Sequence, residues 1–255
     1  MNSPREPIFN IPPVVLATIA LMVLVHVVVA FLLTSEQMTD FLLLFAFIPA
    51  RYDANLPGMV WPGGWGAQIW TFVTYALIHA DLNHLFFNAV WLLAFGTPVA
   101  RRFGPLRFLA FLLATAAAGA AVHLATHVGE LLPVIGASAA ISGAMAAAMR
   151  FVFQSTGPLG LLRRRDPDAY RVPAAPLGAM LREPRVLVFL LVWFGTNALL
   201  GLSMFAMPGV EQSIAWQAHI GGFLAGLFGF SLFDPIPPAA SLPEEPDAGP
   251  VQPEQ

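Results

Sequence analysis

Long apolar runs dominate this sequence and most tightly limit what it can fold into. A helix needs about 20 residues to cross the hydrocarbon core of a bilayer. Of the 255 residues, 57% are hydrophobic and 11% are charged, a composition that would leave a large apolar surface on a soluble domain. We therefore predict an all-α, multi-pass membrane protein with six spans, near residues 11–33, 70–98, 106–126, 131–153, 186–206 and 214–233.

The basic residues predict how these spans are oriented. All 12 are arginine, and eleven of them lie before span 1 or in the connections that follow spans 2 and 4, whereas Arg51 lies alone on the opposite side. The positive-inside rule places the arginine-rich side in the cytoplasm, so we expect both termini there. Because topology explains these arginines, we expect no nucleic-acid partner.

The chain divides into a membrane domain and short flanking segments. We predict a short cytoplasmic N-terminus at residues 1–10 and a six-helix membrane domain at 11–233. Within it, residues 34–69 are predicted to form a loop at the membrane interface, and 154–184 a cytoplasmic loop. Residues 234–255 are rich in proline and acidic side chains, so we expect a disordered tail.

Polar side chains inside the spans restrict the chemistry. Ionisable groups are costly at membrane depth and usually mark function, yet the interior of spans 2 to 6 offers no acidic residue. This argues against an aspartyl protease, while the missing HExxH pattern argues against a zinc protease. The remaining candidates are serine, histidine and asparagine side chains: His79, His84, Asn88, Ser138, Ser142 and His219.

Structural explanations compete with functional ones for several of these residues. A serine in a helix of small residues, such as Ser138 or Ser142, often serves close packing or a backbone hydrogen bond. His123 and His127 are four residues apart and could bind a metal. They lack a third ligand in the sequence pattern, so we expect no metal site and no cofactor.

Several motifs occur in a characteristic order along the chain. "HADLNHLFFN" opens span 2, "GAS" opens span 4 and "AHIGGFLAG" lies in span 6, with "FAFIPARY" after span 1 and "FGTPVARRFG" after span 2. Taken together, these motifs resemble the rhomboid family of intramembrane serine proteases over roughly residues 11–233. The resemblance implies proteolysis of transmembrane protein substrates within the lipid bilayer, in a bacterial inner membrane.

The resemblance assigns roles to individual positions. It implies that Ser138 is the nucleophile and His219 the general base, with His84, Asn88 and Gly136 around the oxyanion. Small residues should let spans 4 and 6 approach closely, at Gly143, Gly221, Gly222, Gly226 and Gly229. For Ser142 we expect a hydrogen bond to His219 or a nearby water, and His79 is a possible accessory residue. Trp193 and Phe194 are either a lateral gate or packing aromatics.

The chain also departs from the family pattern. Ala139 follows the serine where glycine is usual, and Thr71 and Ala100 stand where many members have an arginine and a glutamate. These differences raise a question about the anchoring of the 34–69 loop. A non-catalytic rhomboid-like protein that binds membrane clients remains the main alternative, with a transporter as a third class. The sequence does not specify an oligomeric state.

Overall fold

The computed structural model describes residues 11–56, 60–159, 167–201 and 215–237. Residues 1–10, 160–166 of the cytoplasmic loop, 202–206 of span 5 and 238–255 of the tail lie outside the described residues. Within the described residues the chain is all-helical, without a β-strand. The helices are α1 (Pro13–Val27), α2 (Ser35–Phe45), α3 (Gly64–Thr74), α4 (Leu82–Trp91), α5 (Thr97–Phe103), α6 (Pro105–Thr126), α7 (Ser138–Met149), α8 (Leu177–Met180), α9 (Pro184–Gly201) and α10 (Trp216–Phe233).

Several of these helices are suited to a membrane. A π-helical turn at Val28–Leu32 extends α1, and another at Leu92–Gly96 joins α4 to α5. Three continuous helices in the described residues are long and apolar enough to cross a bilayer: Pro13–Leu32, Leu82–Phe103 and Pro105–Thr126. Shorter apolar helices occur at Ser138–Met149 and Pro184–Leu199. The predicted all-α, multi-pass membrane architecture is confirmed.

The second span begins later than the sequence analysis predicted. Residues 70–77 belong to α3 and the 3₁₀ turn after it, Tyr75–Leu77, rather than to the span. The span starts at Leu82, because the Asp81 carboxylate accepts a hydrogen bond from the His84 N–H (2.8 Å) and caps the first turn. It continues to Phe103, since Pro98 lies in the first turn of α5 and is tolerated there.

The 34–69 segment is folded and tied to α3 by hydrogen bonds. The Tyr52 hydroxyl contacts the Thr71 hydroxyl (2.9 Å), and the Trp70 indole donates to the Leu44 carbonyl (2.7 Å). Thr74 donates to the Phe45 carbonyl (2.6 Å). Thr71 thus makes one of the contacts that anchor the 34–69 loop, whose anchoring the sequence left in question.

Arg51, the lone arginine of this side, is also part of that segment's structure. Its side chain is buried and donates to the carbonyls of Leu43 and Pro62. Its guanidinium lies 5.2 Å from the centre of the Trp61 ring, in a cation–π contact. Two carbonyls and an aromatic ring thus stabilise the positive charge, while Nε has no hydrogen-bond partner among the described residues.

Helix α7 lies at the centre of the bundle and packs through small residues. A Cβ added to Gly222 or Gly226 of α10 would collide with the backbone of Ala139 or Gly143 in α7. Gly143 in turn faces Thr115 of α6, and Gly221 faces α6 at Val122. The predicted close approach of spans 4 and 6 is present at Gly143, Gly222 and Gly226, whereas Gly221 packs on α6 instead and a Cβ on Gly229 would have no neighbour within 4 Å.

Candidate active site

Ser138 is the first residue of α7, at the end of a loop that turns sharply into the helix. Gly136, two residues earlier, adopts a φ of +112°, which L-residues with a side chain rarely adopt. Its N–H donates to the Tyr75 carbonyl (3.0 Å), which fixes the loop against the turn after α3. Ser138 is half-buried at the helix N-terminus, where first-turn N–H groups have no acceptor within the helix.

His219, in the first turn of α10, faces this serine. Its Nε2 lies 2.7 Å from the Ser138 hydroxyl oxygen, although the two residues are 81 positions apart. The glycine contacts between α7 and α10 make this distance possible, because larger residues there would hold the two backbones apart.

Asn197 of α9 makes a third contact that the sequence analysis did not assign. Its side-chain oxygen lies 2.7 Å from His219 Nδ1, and its amide nitrogen donates to the Trp193 carbonyl one turn earlier (2.8 Å). A carbonyl can only accept, so the bond to Trp193 fixes which end of the amide faces His219. The only sign in the sequence was an amide in an apolar helix.

These contacts define the protonation of the imidazole. The Asn197 oxygen accepts a hydrogen bond, so His219 carries its proton on Nδ1. The lone pair of Nε2 then faces the Ser138 hydroxyl, which donates to it. Serine, histidine and asparagine thus form one chain of hydrogen bonds with the polarity that nucleophile activation requires.

His84 lies beside the loop that carries Ser138, and Asn88 follows one turn later on the same helix. A Cβ on Gly136 would sit 2.6 Å from His84 Nε2, so the imidazole lies against the glycine backbone. The buried Asn88 side chain donates to the His84 carbonyl (2.9 Å), within their own helix. His79 is buried with its ring centre 5.1 Å from that of His84, and neither ring nitrogen of His79 has a hydrogen-bond partner among the described residues.

Comparison with known proteins agrees with this architecture. The family model of the rhomboid domain matches residues 66–233. The chain belongs to the rhomboid family. Its sequence is 28% identical to the rhomboid protease GlpG of Pectobacterium atrosepticum over 183 residues, which are 69% of this chain and 53% of that protein. A 60-residue stretch is 38% identical to the mitochondrial RHOMBOID-like protein 12 of Arabidopsis thaliana, covering 24% of this chain and 18% of that protein.

The alanine that follows the serine in this rhomboid has a compensating glycine. Ala139 is buried, and its methyl group points at α6, 2.6 Å from where a Cβ on Gly119 would be. Glycine at 119 therefore makes room for the extra methyl. The side chain of Ala139 faces α6 and leaves the loop at Gly136 clear.

Ser142 has a different partner from the one we expected. Its hydroxyl donates to the Ser138 carbonyl, four residues earlier, at 2.7 Å. The expected bond to His219 is not made, because both imidazole nitrogens already have the partners Ser138 and Asn197. Ser142 supports the helix turn that presents the candidate nucleophile.

Trp193 and Phe194 pack on the rhomboid's α10 next to the site. The Trp193 ring stacks on Phe223 with centres 4.5 Å apart, and Phe194 meets the same ring at 5.6 Å. Phe223 lies four residues after His219, while Phe194 is 40% exposed at the bundle surface. These contacts hold α9 in the position from which Asn197 reaches His219.

Proposed function

We propose that this rhomboid is an intramembrane serine endopeptidase that cleaves transmembrane-anchored proteins near the extracytoplasmic face. The observation that carries the proposal is the 2.7 Å contact between His219 Nε2 and the Ser138 hydroxyl. The similarity to a rhomboid protease supports the same reaction class, although the chain spans only about half of that relative's length.

The hydrogen-bond chain gives each residue a role. His219 Nε2 takes the proton of Ser138 as its oxygen attacks the scissile carbonyl, and later delivers that proton to the leaving amine. Water then hydrolyses the acyl-enzyme, with His219 acting again as base. Asn197 holds the imidazole in the required tautomer and accepts from Nδ1 throughout. No metal or cofactor has a role in this scheme.

The N-terminus of α7 suits the negative charge that develops on the substrate oxygen. The Ser138 N–H is available at the positive end of the helix dipole, where it can donate to an oxyanion. His84, held against Gly136, and Asn88 are the side chains that we place around the same oxygen. Both are neutral donors, which suits a site surrounded by apolar helices.

The length of α7 supports chemistry below the membrane surface. Twelve residues at about 1.5 Å each make a helix of roughly 18 Å, while the hydrocarbon core is about 30 Å thick. Arg150 follows the other end of α7, and a charged residue favours the interface. Ser138 would then be recessed within the opposite leaflet, at the depth where a substrate helix must unwind to expose a carbonyl.

The orientation of the chain belongs to the same proposal. The arginine distribution favours cytoplasmic termini and an extracytoplasmic position for Ser138. We assign residues 11–233 to the protease domain, in a bacterial inner membrane, and place 234–255 on the cytoplasmic side, with its first residue, Asp234, bonded to Arg102 of that domain. Substrates would enter beside α9, where Trp193 and Phe194 close the bundle.

Cleavage of a model single-span substrate in proteoliposomes tests the proposal. We expect Ser138→Ala and His219→Ala each to lower the cleavage rate at least about 1000-fold. Ser142→Ala, which removes a serine hydroxyl one helical turn away from Ser138, should retain most activity and serves as the matched control. A fluorophosphonate probe should label Ser138 alone.

Two outcomes would contradict the proposal. One is cleavage that persists in Ser138→Ala, which would mean that another group is the nucleophile. The other is a folded protein that neither reacts with the probe nor cleaves any of a panel of single-span substrates. A non-catalytic, client-binding rhomboid would then explain the data better.

A further inference from the structure

We propose that the end of α6 forms a binding site for a divalent transition metal, best suited to Zn²⁺, built from His123, His127 and Glu130. One ligand atom from each of these residues lies within 4.8 Å of the others. The sequence analysis found the two histidines but no third ligand. The proposal concerns residues outside the Ser138–His219 pair and does not depend on proteolytic activity.

A tight turn after α6 supplies the missing ligand. His127 ends the helix, and Gly129 takes a φ of +84°, which reverses the chain. The Glu130 N–H donates to the His127 carbonyl (3.1 Å), and the Glu130 carbonyl accepts from the Ala50 N–H (2.9 Å). The backbone of Glu130 is thus fixed, with its carboxylate directed back over His123 at 3.5 Å.

Two buried polar atoms in this cluster lack hydrogen-bond partners. His123 is only 4% exposed, and its Nδ1 has no partner among the described residues. Oε2 of Glu130, 3.5 Å from His123 Nε2, likewise makes no hydrogen bond. Buried polar groups normally find a partner because leaving them unpaired costs free energy, and a coordinated cation would satisfy such groups.

Metal binding would require one histidine ring to turn. The imidazoles of His123 and His127 are stacked, with centres 4.4 Å apart and planes 5° from parallel. Ligating lone pairs lie in the ring plane, so two parallel stacked rings cannot both point at one ion. His127 is half-buried whereas His123 is buried, so His127 is the ring with room to turn; turning it would exchange its contacts with the Thr126 hydroxyl (2.7 Å) and the Gln217 amide (3.4 Å) for the ion.

The donor set selects the class of ion. Two imidazoles and one carboxylate are typical of Zn²⁺ sites that keep a fourth position for water or another ligand. Calcium and magnesium prefer all-oxygen ligands and would bind poorly here. Gln217 of α10, whose amide lies 3.4 Å from His127 Nε2, is a further polar side chain beside the cluster.

The position of the site gives the metal a structural effect. Its ligands span the end of α6 and the loop that leads to Ser138, and Glu130 is bonded to the 34–69 segment at Ala50. An ion would therefore cross-link three parts of the same end of the bundle. It should raise the thermal stability of the folded protein by binding the folded state preferentially.

Calorimetric titration with Zn²⁺ tests the proposal, using the full chain in detergent, purified through a histidine-free tag and stripped with chelator. We expect one ion per chain and a rise in the unfolding temperature. His127→Ala and Glu130→Gln should each weaken binding at least about tenfold. Glu36→Gln removes the same charge from an exposed position of α2 and should leave Zn²⁺ binding unchanged.

Substitution with Co²⁺ gives an independent readout, since its visible absorption reports imidazole coordination. The spectrum should appear on adding one equivalent and disappear in His127→Ala. Absence of stoichiometric Zn²⁺ binding would overturn the proposal and leave a histidine–glutamate ion pair. Binding of equal strength in His127→Ala and Glu130→Gln would also overturn it.

Discussion

The two ends of this helical bundle use opposite kinds of polar chemistry. Around Ser138 itself, the hydrogen-bonded contacts join neutral groups: a hydroxyl, an imidazole and an amide. At the other end, Arg102 is fully buried and forms a two-pronged ion pair with Asp234, with both N–O distances 2.9 Å.

The difference lies in what each end has to do. Arg102 also donates to the carbonyls of Tyr170 and Val172 and lies over the ring of Phe151, so four of its five N–H groups have acceptors. A charge so completely satisfied can only hold elements together. A base must accept a proton, so the Ser138 end needs groups that are neutral at rest.

The largest effect should come from breaking the charged end. Arg102→Ala leaves the Asp234 carboxylate buried without its partner, and we expect a loss of about 3–5 kcal/mol of unfolding free energy. Thermal or denaturant unfolding in detergent measures this loss. Cleavage per folded molecule should change little, because the ion pair lies at the other end of α10.

Arg107→Ala is the control for that prediction, since this arginine is exposed on α6. It should cost less than about 0.5 kcal/mol. Equal losses in the two variants would show that the buried ion pair adds nothing beyond a surface arginine.

The contact between α7 and α10 near Ser138 should be sensitive to added side-chain volume rather than to a change of charge. Gly222→Ala would press a methyl group into the Ala139 carbonyl, costing about 1–3 kcal/mol of stability. By moving α10 away from α7, it should also lower the cleavage rate about 100-fold. Gly229→Ala, on the same helix with no neighbour within 4 Å, should keep full activity.

Asn197 provides a sharper test of the neutral hydrogen-bond chain. Asn197→Ala removes the acceptor for His219 Nδ1, and we expect the kcat of cleavage to fall roughly 10- to 100-fold with KM nearly unchanged. Thr196→Ala, its exposed neighbour, is the control. A change confined to KM would instead assign Asn197 to substrate binding.

The smallest effect concerns the anchoring of the 34–69 segment. Thr71→Val breaks the hydrogen bond to Tyr52 and should cost about 1 kcal/mol of stability. Tyr52→Phe removes this contact and also the bond to the Gln68 carbonyl (2.9 Å), so the double variant should cost less than the sum of the two single losses. Fully additive losses in this cycle would show that the two hydroxyls do not interact.

Much of this architecture could be predicted from hydropathy and motifs, because membrane helices satisfy their backbone within one continuous segment. The positions of Ser138 and His219, each at the start of an apolar helix, followed from the ordered motifs. The apolar run at 70–98 put the start of the second span too early, since hydropathy alone does not separate α3 from α4. Only the cap at Asp81 marks that boundary.

The contacts that were missed depend on how distant elements meet. Asn197 reaches His219 only because Trp193 and Phe194 pack α9 onto Phe223. Glu130 joins the two histidines only because the chain reverses at Gly129. The sequence shows that these residues are polar. Which residues they contact depends on how the helices pack and on the left-handed turn at Gly129.

The burial of α7 also bears on how the protein is made. Every residue from Ala139 to Met149 is buried by protein, so this helix has almost no surface to offer to lipid. Alanine and glycine give a weak signal for insertion as an independent span. We infer that α7 packs into place only after α6 and α10, which surround it, have folded. Its assembly would then be a late step in biogenesis.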